Sequence, residues 1–285
     1  MFLLLAVIAA VAYSLQTTLL TTSYRTVGAL ATVSYRGLAL GLSMAPLLLA
    51  VPASDFTQVL PLLPLIVGAS ALTLFGNWAG ARVYLYLPVG VAAAITISFF
   101  AAATVAIGMV MLDEQLTLVQ SIAAATMLVA VLLTGLTSPR ESNAPFDFKR
   151  GVLFSVLFAI TIGGAFVIIG WASRQVHPFL VGWLWELGAG VIGILALVLG
   201  RARTAVPAAE LWKIFISSSP TVIGTACYTV AATQGPVGLV ATLLTLEIPA
   251  SSIMAAVIFH ERLSKAQWAL ILVMTAAVAI LKALQ

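Results

Sequence analysis

Arg36, Glu186 and Glu247 each stand inside a long apolar run, and about 20 apolar residues are what a helix needs to cross a bilayer. An ionisable group at that depth costs about 2.5–3.5 kcal/mol on insertion scales, so it faces a cavity or a partner more often than lipid. A guanidinium can hold a carboxylate, and a carboxylate can hold an ammonium. Together the three residues predict a site for a polar or zwitterionic solute, with a proton on either glutamate as a conceivable coupling ion. The structural alternative is that Arg36 pairs permanently with Glu186 or Glu247 and only fastens helices together.

Polar neighbours recur at helical spacing, which predicts an inward-facing stripe on several helices. Tyr13, Gln16 and Thr17 fall three and four apart; Thr32, Arg36 and Ser43 share a side; Trp183, Glu186 and Gly190 do the same. Thr73, Asn77 and Gly80, then Thr221, Thr225 and Tyr228, then Glu247 and Ser251, continue the pattern. Hydroxyls also bond to their own helix backbone, so part of this set is expected to be structural. Among the aromatics, Trp78 and Trp185 are candidates for a cavity wall, whereas Tyr84 and Tyr86 are expected in the interfacial belt. The candidate binding residues are therefore Tyr13, Gln16, Arg36, Asn77, Trp78, Trp185, Glu186, Tyr228, Glu247 and Ser251. Gly163, Gly164 and Pro220 are candidate hinges.

Catalysis has little to work with. His177 and His260 lie near the ends of apolar runs, Cys227 is the single cysteine, and no H-E-x-x-H or clustered carboxylate set occurs. No enzyme activity, cofactor, metal or disulfide is expected.

The elements that must position these residues follow from composition. Of 285 residues, 62% are hydrophobic and 8% charged, against about 25% charged in a soluble domain. Lipid must solvate much of the surface, which excludes a soluble enzyme; the net charge of +4 is spread over span ends and does not form a nucleic-acid patch. The expected fold is all-α and polytopic, with ten transmembrane helices near residues 3–22, 28–50, 59–81, 89–111, 116–136, 151–172, 179–200, 211–232, 237–259 and 265–284. The first apolar run has no cationic leader or cleavage signal and reads as a retained span. GxxxG pairs at Gly37/Gly41 and Gly76/Gly80 predict close helix approach.

Two halves are visible. Residues 1–137 form one five-helix unit, 138–148 a polar connection, and 149–285 a second unit. Pro88-Val89-Gly90 recurs as Pro236-Val237-Gly238 after 148 residues, and the segment around Glu114 aligns with that around Glu261 after 147. An odd number of spans per half inverts the second copy, the geometry that lets two halves rock around a central site. Ten of the 13 Lys and Arg residues follow odd-numbered spans, so that face is expected in the cytoplasm and both termini outside it.

With Pro88-Val89-Gly90, Leu112-Asp113-Glu114-Gln115-Leu116-Thr117, Glu247-Ile248-Pro249 and His260-Glu261-Arg262-Leu263-Ser264, the chain resembles the EamA-type drug/metabolite transporter superfamily across nearly its whole length. Two departures occur in the first copy: Ala102 stands where Pro249 stands in the second, and Asp113 replaces the common glycine before Glu114. The resemblance implies a secondary transporter, usually an exporter of small metabolites from the bacterial inner membrane. It also implies a central cavity between two four-helix groups, with the fifth and tenth spans peripheral. Within the superfamily the aromatic residues are similar to those of YddG-type amino-acid exporters, which implies export of amino acids, aromatic and apolar ones included. Another metabolite or a drug remains the alternative substrate, and a structural membrane protein the remote one. The expected partners are a small-molecule substrate and the lipid bilayer, with either a monomer or a homodimer compatible.

Overall fold

The computed structural model describes residues 1–87, 89–136, 147–200 and 206–258, with the pairs 265–266, 268–269, 272–273 and 276–277 near the C-terminus. Pro88, most of the 138–148 connection, the segment around Glu261 and much of the expected tenth span lie outside the described residues.

The described residues are helical, without strands. Helix α1 (Phe2–Thr26) ends where Gly28 adopts φ +96°, a left-handed conformation that glycine reaches without a Cβ clash. Helix α2 (Ala29–Met44) gives way at Pro46 to a 3-10 turn, Ala45–Ala50. The short α3 (Ala53–Gln58) lies in the connection expected between the second and third spans, and α4 (Leu63–Tyr86), α5 (Val89–Met111) and α6 (Leu118–Leu136) follow. The second half has α7 (Phe148–Ala172) and α8 (Pro178–Leu199). Asp147 caps α7 by accepting the Arg150 N–H at 3.1 Å, and His177 Nδ1 accepts the Phe179 N–H at the start of α8.

Two expected spans are each broken in two. The 211–232 span is α9 (Ala208–Ser218) followed by α10 (Pro220–Gln234). Pro220 has no N–H to give, and the Ile216 carbonyl instead accepts the Ser219 hydroxyl at 2.8 Å and its N–H at 3.1 Å. The 237–259 span is α11 (Val237–Leu244) and α12 (Glu247–Ile258), interrupted at Thr245 and Leu246. Pro249 accounts for this second break: its ring opposes the carbonyl of Thr245, four residues earlier.

Among the described residues, six segments are long and apolar enough to cross a membrane by length and composition: Phe2–Leu20, Ala29–Ala50, Ala53–Val83, Phe148–Ala172, Pro178–Leu199 and Ala208–Gln234. Ile95–Met111, Leu118–Ala130 and Val237–Ala250 are shorter apolar helices. The large pairings join the halves: α4 packs on α7, α2 on α8, α5 on α7 and on α11, and α1 on α10 and α12. Glycine makes the α2–α8 contact possible. A Cβ on Gly37 would lie 2.6 Å from the Gly190 Cα and 2.9 Å from the Glu186 carbonyl, so the two backbones meet directly. Gly76 and Gly80 likewise seat Ile162 and Phe158 of α7 against α4.

Candidate functional site

The cavity lies where α1, α2, α4, α5, α7, α8 and the α11–α12 break converge, and encloses about 150 Å³. One water needs about 10–15 Å³ on this measure, so the space holds a small solute with its water. Its polar lining is Tyr13, Gln16, Thr17 and Tyr24 of α1, Arg36 of α2, Thr73 and Asn77 of α4, Thr96 of α5, Glu186 of α8 and Glu247 of α12. Phe100, Phe158, Ile162, Phe166 and Trp185 supply the apolar wall.

Arg36 is the centre of the polar network. Its Nη1 and Nη2 reach the two oxygens of Glu186 at 3.3 and 3.4 Å, and its Nε donates to Gln16 Oε1 at 2.8 Å. Both charged side chains are buried. The fork geometry is bidentate, but the contacts are longer than the roughly 2.7–2.9 Å of a tight charge-assisted pair. Helix α10 completes the set: Thr225 Oγ1 donates to Glu186 Oε1 at 2.9 Å, and the Thr221 hydroxyl donates to Gln16 Oε1. Tyr13 Oη meets Thr225 Oγ1 at 3.3 Å. The break before α10 and the close α2–α8 packing therefore bring four helices onto one ion pair.

Glu247 differs. It is the first residue of α12, half-buried, and accepts the Thr17 hydroxyl at 2.7 Å. Among the described residues no cation stands within ion-pair distance of it. Of the three charges lining the cavity, two neutralise each other and one carboxylate faces the space.

Trp185 is held at two points by α4. Its Nε1 donates to Thr73 Oγ1 at 2.7 Å, and its carbonyl accepts the Ser70 hydroxyl at 2.9 Å. Phe166 stands edge-on to it at 5.1 Å, so the wall is a fixed aromatic surface.

The structure thus brings Tyr13, Gln16, Arg36, Asn77, Trp185, Glu186 and Glu247 to one space, and places Trp78 and Tyr228 elsewhere. Trp78 turns to an outer cluster with Phe75, Phe154 and the Arg82 guanidinium, 5.1 Å above its ring. Tyr228 is fully buried behind the wall, donating to the Phe166 carbonyl at 2.6 Å and packing against Phe166 and Trp185. Ser251 lies in α12, and its side chain is outside the described residues. Of the hinge candidates, Pro220 sits at a helix break, whereas α7 runs unbroken through Gly163 and Gly164. Gly163 instead gives close contact with α5, where a Cβ would meet the Thr104 Oγ1 at 3.0 Å. The α7 residues Phe158, Ile162 and Phe166 were not singled out by sequence reasoning, because nothing in the apolar middle of that helix marks which side faces a cavity, and Tyr24 was hidden in the polar stretch that ends α1.

No curated protein matches this sequence. A solved crystal structure is similar at a TM-score of 0.78 over 99% of this chain and 96% of the other, with 17% identity, which shows a shared fold. Residues 149–282, the second half, match the EamA-like transporter family. That match, together with the membrane-crossing helices and a cavity lined by buried charges, supports a multi-pass membrane transporter of small substrates.

Proposed function

We propose that the protein exports amino acids, aromatic and other apolar ones among them, by alternating access through the central cavity. The observation that carries this reading is the charge arrangement: a loosely paired Arg36 and a carboxylate, Glu247, with no ion-pair partner among the described residues, facing one space against an aromatic wall. Glu247 takes the ammonium of the substrate. Arg36 takes its carboxylate, using N–H groups that the 3.3–3.4 Å contacts to Glu186 leave weakly held. Phe100, Phe158, Phe166 and Trp185 accept the side chain without reading its polarity.

The full architecture is ten spans as two inverted five-helix repeats, 1–137 and 149–285. The pairing pattern supports it. If α1, α2, α4 and α5 correspond to α7, α8, α9–α10 and α11–α12, then the α4–α7 contact corresponds to α10–α1, and α5–α7 to α1 with α11 and α12. The α2–α8 and α5–α11 contacts map onto themselves. The protein sits in the bacterial inner membrane with its cation-rich face in the cytoplasm and both termini outside.

The test is a flux panel in proteoliposomes loaded with labelled amino acids, apolar, aromatic, acidic and basic, with and without an imposed pH gradient. Apolar and aromatic amino acids leave faster than from protein-free vesicles, and Glu247→Gln and Arg36→Ala each lower that flux at least about tenfold, as expected when a substrate charge loses a partner worth roughly 1.5–3 kcal/mol. Export of none of the panel, or wild-type flux from both variants, refutes the assignment.

A further inference from the structure

The cavity is not centred. Its lining on α1 runs from Tyr13 to Tyr24, near the end of that helix, and on α4 from Thr73 to Ala81. On α5 and α7, which run the other way, the lining is confined to the first part of α5 and to Phe158–Phe166 of α7. On α1, α4 and α5 the lining places the space toward the face that carries the α4–α5 turn, while Phe158–Phe166 lies at mid-height on α7. At the opposite face the walls close. A Cβ on Gly238 would lie 3.0 Å from the Val105 Cα, and one on Gly235 would lie 2.9 Å from the Phe2 ring.

Glu114 is at that closed end. It belongs to the first half, just after α5, yet its partners are in the second. Oε1 accepts the Val237 N–H at 2.8 Å and Arg174 Nη2 at 2.7 Å; Oε2 accepts the Gly238 N–H at 3.1 Å. Arg174 in turn donates to the carbonyls of Ala232 and Gly235, fixing the turn between α10 and α11. A carboxylate on the first N–H groups of a helix also gains from the helix dipole. Another tie between halves lies on the same face, where Asp55 Oδ2 accepts the His177 N–H at 2.7 Å.

We propose that Glu114 is a latch holding this face shut, and that its release from Val237, Gly238 and Arg174 is the step by which the cavity opens on that side. The inference rests on the alternating-access reading above but not on the identity of the substrate. Val237 and Gly238 begin α11, and Arg174, from the turn after α7, braces the residues just before it, so release frees the helix that closes the space above Glu247.

The test uses the full chain in lipid nanodiscs, with Cys227→Ser removing the native thiol. One reporter is Val240→Cys, one turn into α11 and fully buried; the other is Ala81→Cys, on the cavity wall toward the open face. The readout is the rate of modification by a charged maleimide, without any solute. Glu114→Gln and Glu114→Ala raise the rate at Val240→Cys about tenfold or more and lower it at Ala81→Cys, since the two faces open at each other's expense. Arg174→Gln, which leaves the α11 N–H groups bonded to Glu114, gives a smaller change in the same direction. Unchanged rates in the Glu114 variants overturn the latch, and so does a rise at both reporters, which marks general loosening. Because no substrate enters the measurement, a failed amino-acid panel leaves this result standing, and normal flux with unchanged labelling rejects the latch alone.

Discussion

Neutralising one member of the Arg36–Glu186 pair should cost far more than neutralising both. At 3.3 Å and an effective dielectric of about 20, two unit charges attract by roughly 5 kcal/mol before desolvation. Glu186→Gln keeps the shape and the bond from Thr225 but leaves the Arg36 guanidinium buried against a neutral amide. Arg36→Met leaves the Glu186 carboxylate with the Thr225 hydroxyl alone. Each single change is expected to lower stability by about 3–5 kcal/mol, the usual cost of an orphaned buried charge, and the double change by much less. The resulting coupling, the two single costs less the double one, therefore exceeds about 3–5 kcal/mol. Equilibrium unfolding of the four proteins in the same micelles measures it as a double-mutant cycle. Additivity within about 0.5 kcal/mol would refute the claim that the two charges depend on each other. The same four proteins address the fastening alternative: the double variant recovers stability but not amino-acid flux, whereas a pair that merely holds helices together gives back both.

Glycine spacing offers a matched comparison. Gly37→Ala should destabilise by about 1–3 kcal/mol through overpacking, despite alanine's better helix propensity, because the Gly190 Cα 2.6 Å away is backbone. Gly68→Ala, with nothing within 4 Å of the added Cβ, should be neutral or stabilising by up to about 1 kcal/mol; equal effects in thermal unfolding contradict the packing argument. At Asp113, which holds φ +52°, glycine should stabilise slightly and Asp113→Val should cost about 1–2 kcal/mol, since a β-branched residue tolerates the left-handed region poorly. Indistinguishable unfolding midpoints for the two Asp113 variants would count against that strain.

How much of this was legible in the sequence depends on contrast. Arg36, Glu186 and Glu247 stand out because a charge in an apolar run has few places to go, and the structure sets all three around one space. Asp113 stood out as a departure from the usual glycine, and its positive φ supplies the reason a glycine suits that position. Trp78 and Trp185 gave the same signal, an aromatic at moderate depth, yet only Trp185 reaches the cavity. Periodicity fixes which residues share a face, but not which face points inward when lipid and core are equally apolar. The same blindness hid Phe158, Ile162 and Phe166, on a helix apolar on every side. Pro249 was noted as a family motif residue, and the break it makes follows from an elementary rule about the carbonyl four residues back. Glu114 was legible as one of a repeated pair, but its partners were not, because a hydrogen bond across 123 residues to Val237 leaves no local trace.

That break has a consequence for how the two ends of the site communicate. An unbroken helix over 237–258 would have a single N-terminus, at the membrane face, and one place where a carboxylate meets free N–H groups. With Pro249 the segment has two. Glu114 covers the first, at Val237 and Gly238, and Glu247 stands at the second, inside the cavity. Between them lies α11, eight residues long and therefore about 12 Å from end to end. A rigid piece of that length cannot shift at one end without shifting at the other. Releasing the α11 start from Glu114 thus alters where α12 begins, and with it the position of the Glu247 carboxylate in the cavity. The cost of placing that charge in the membrane and the means of moving it reside in the same broken helix.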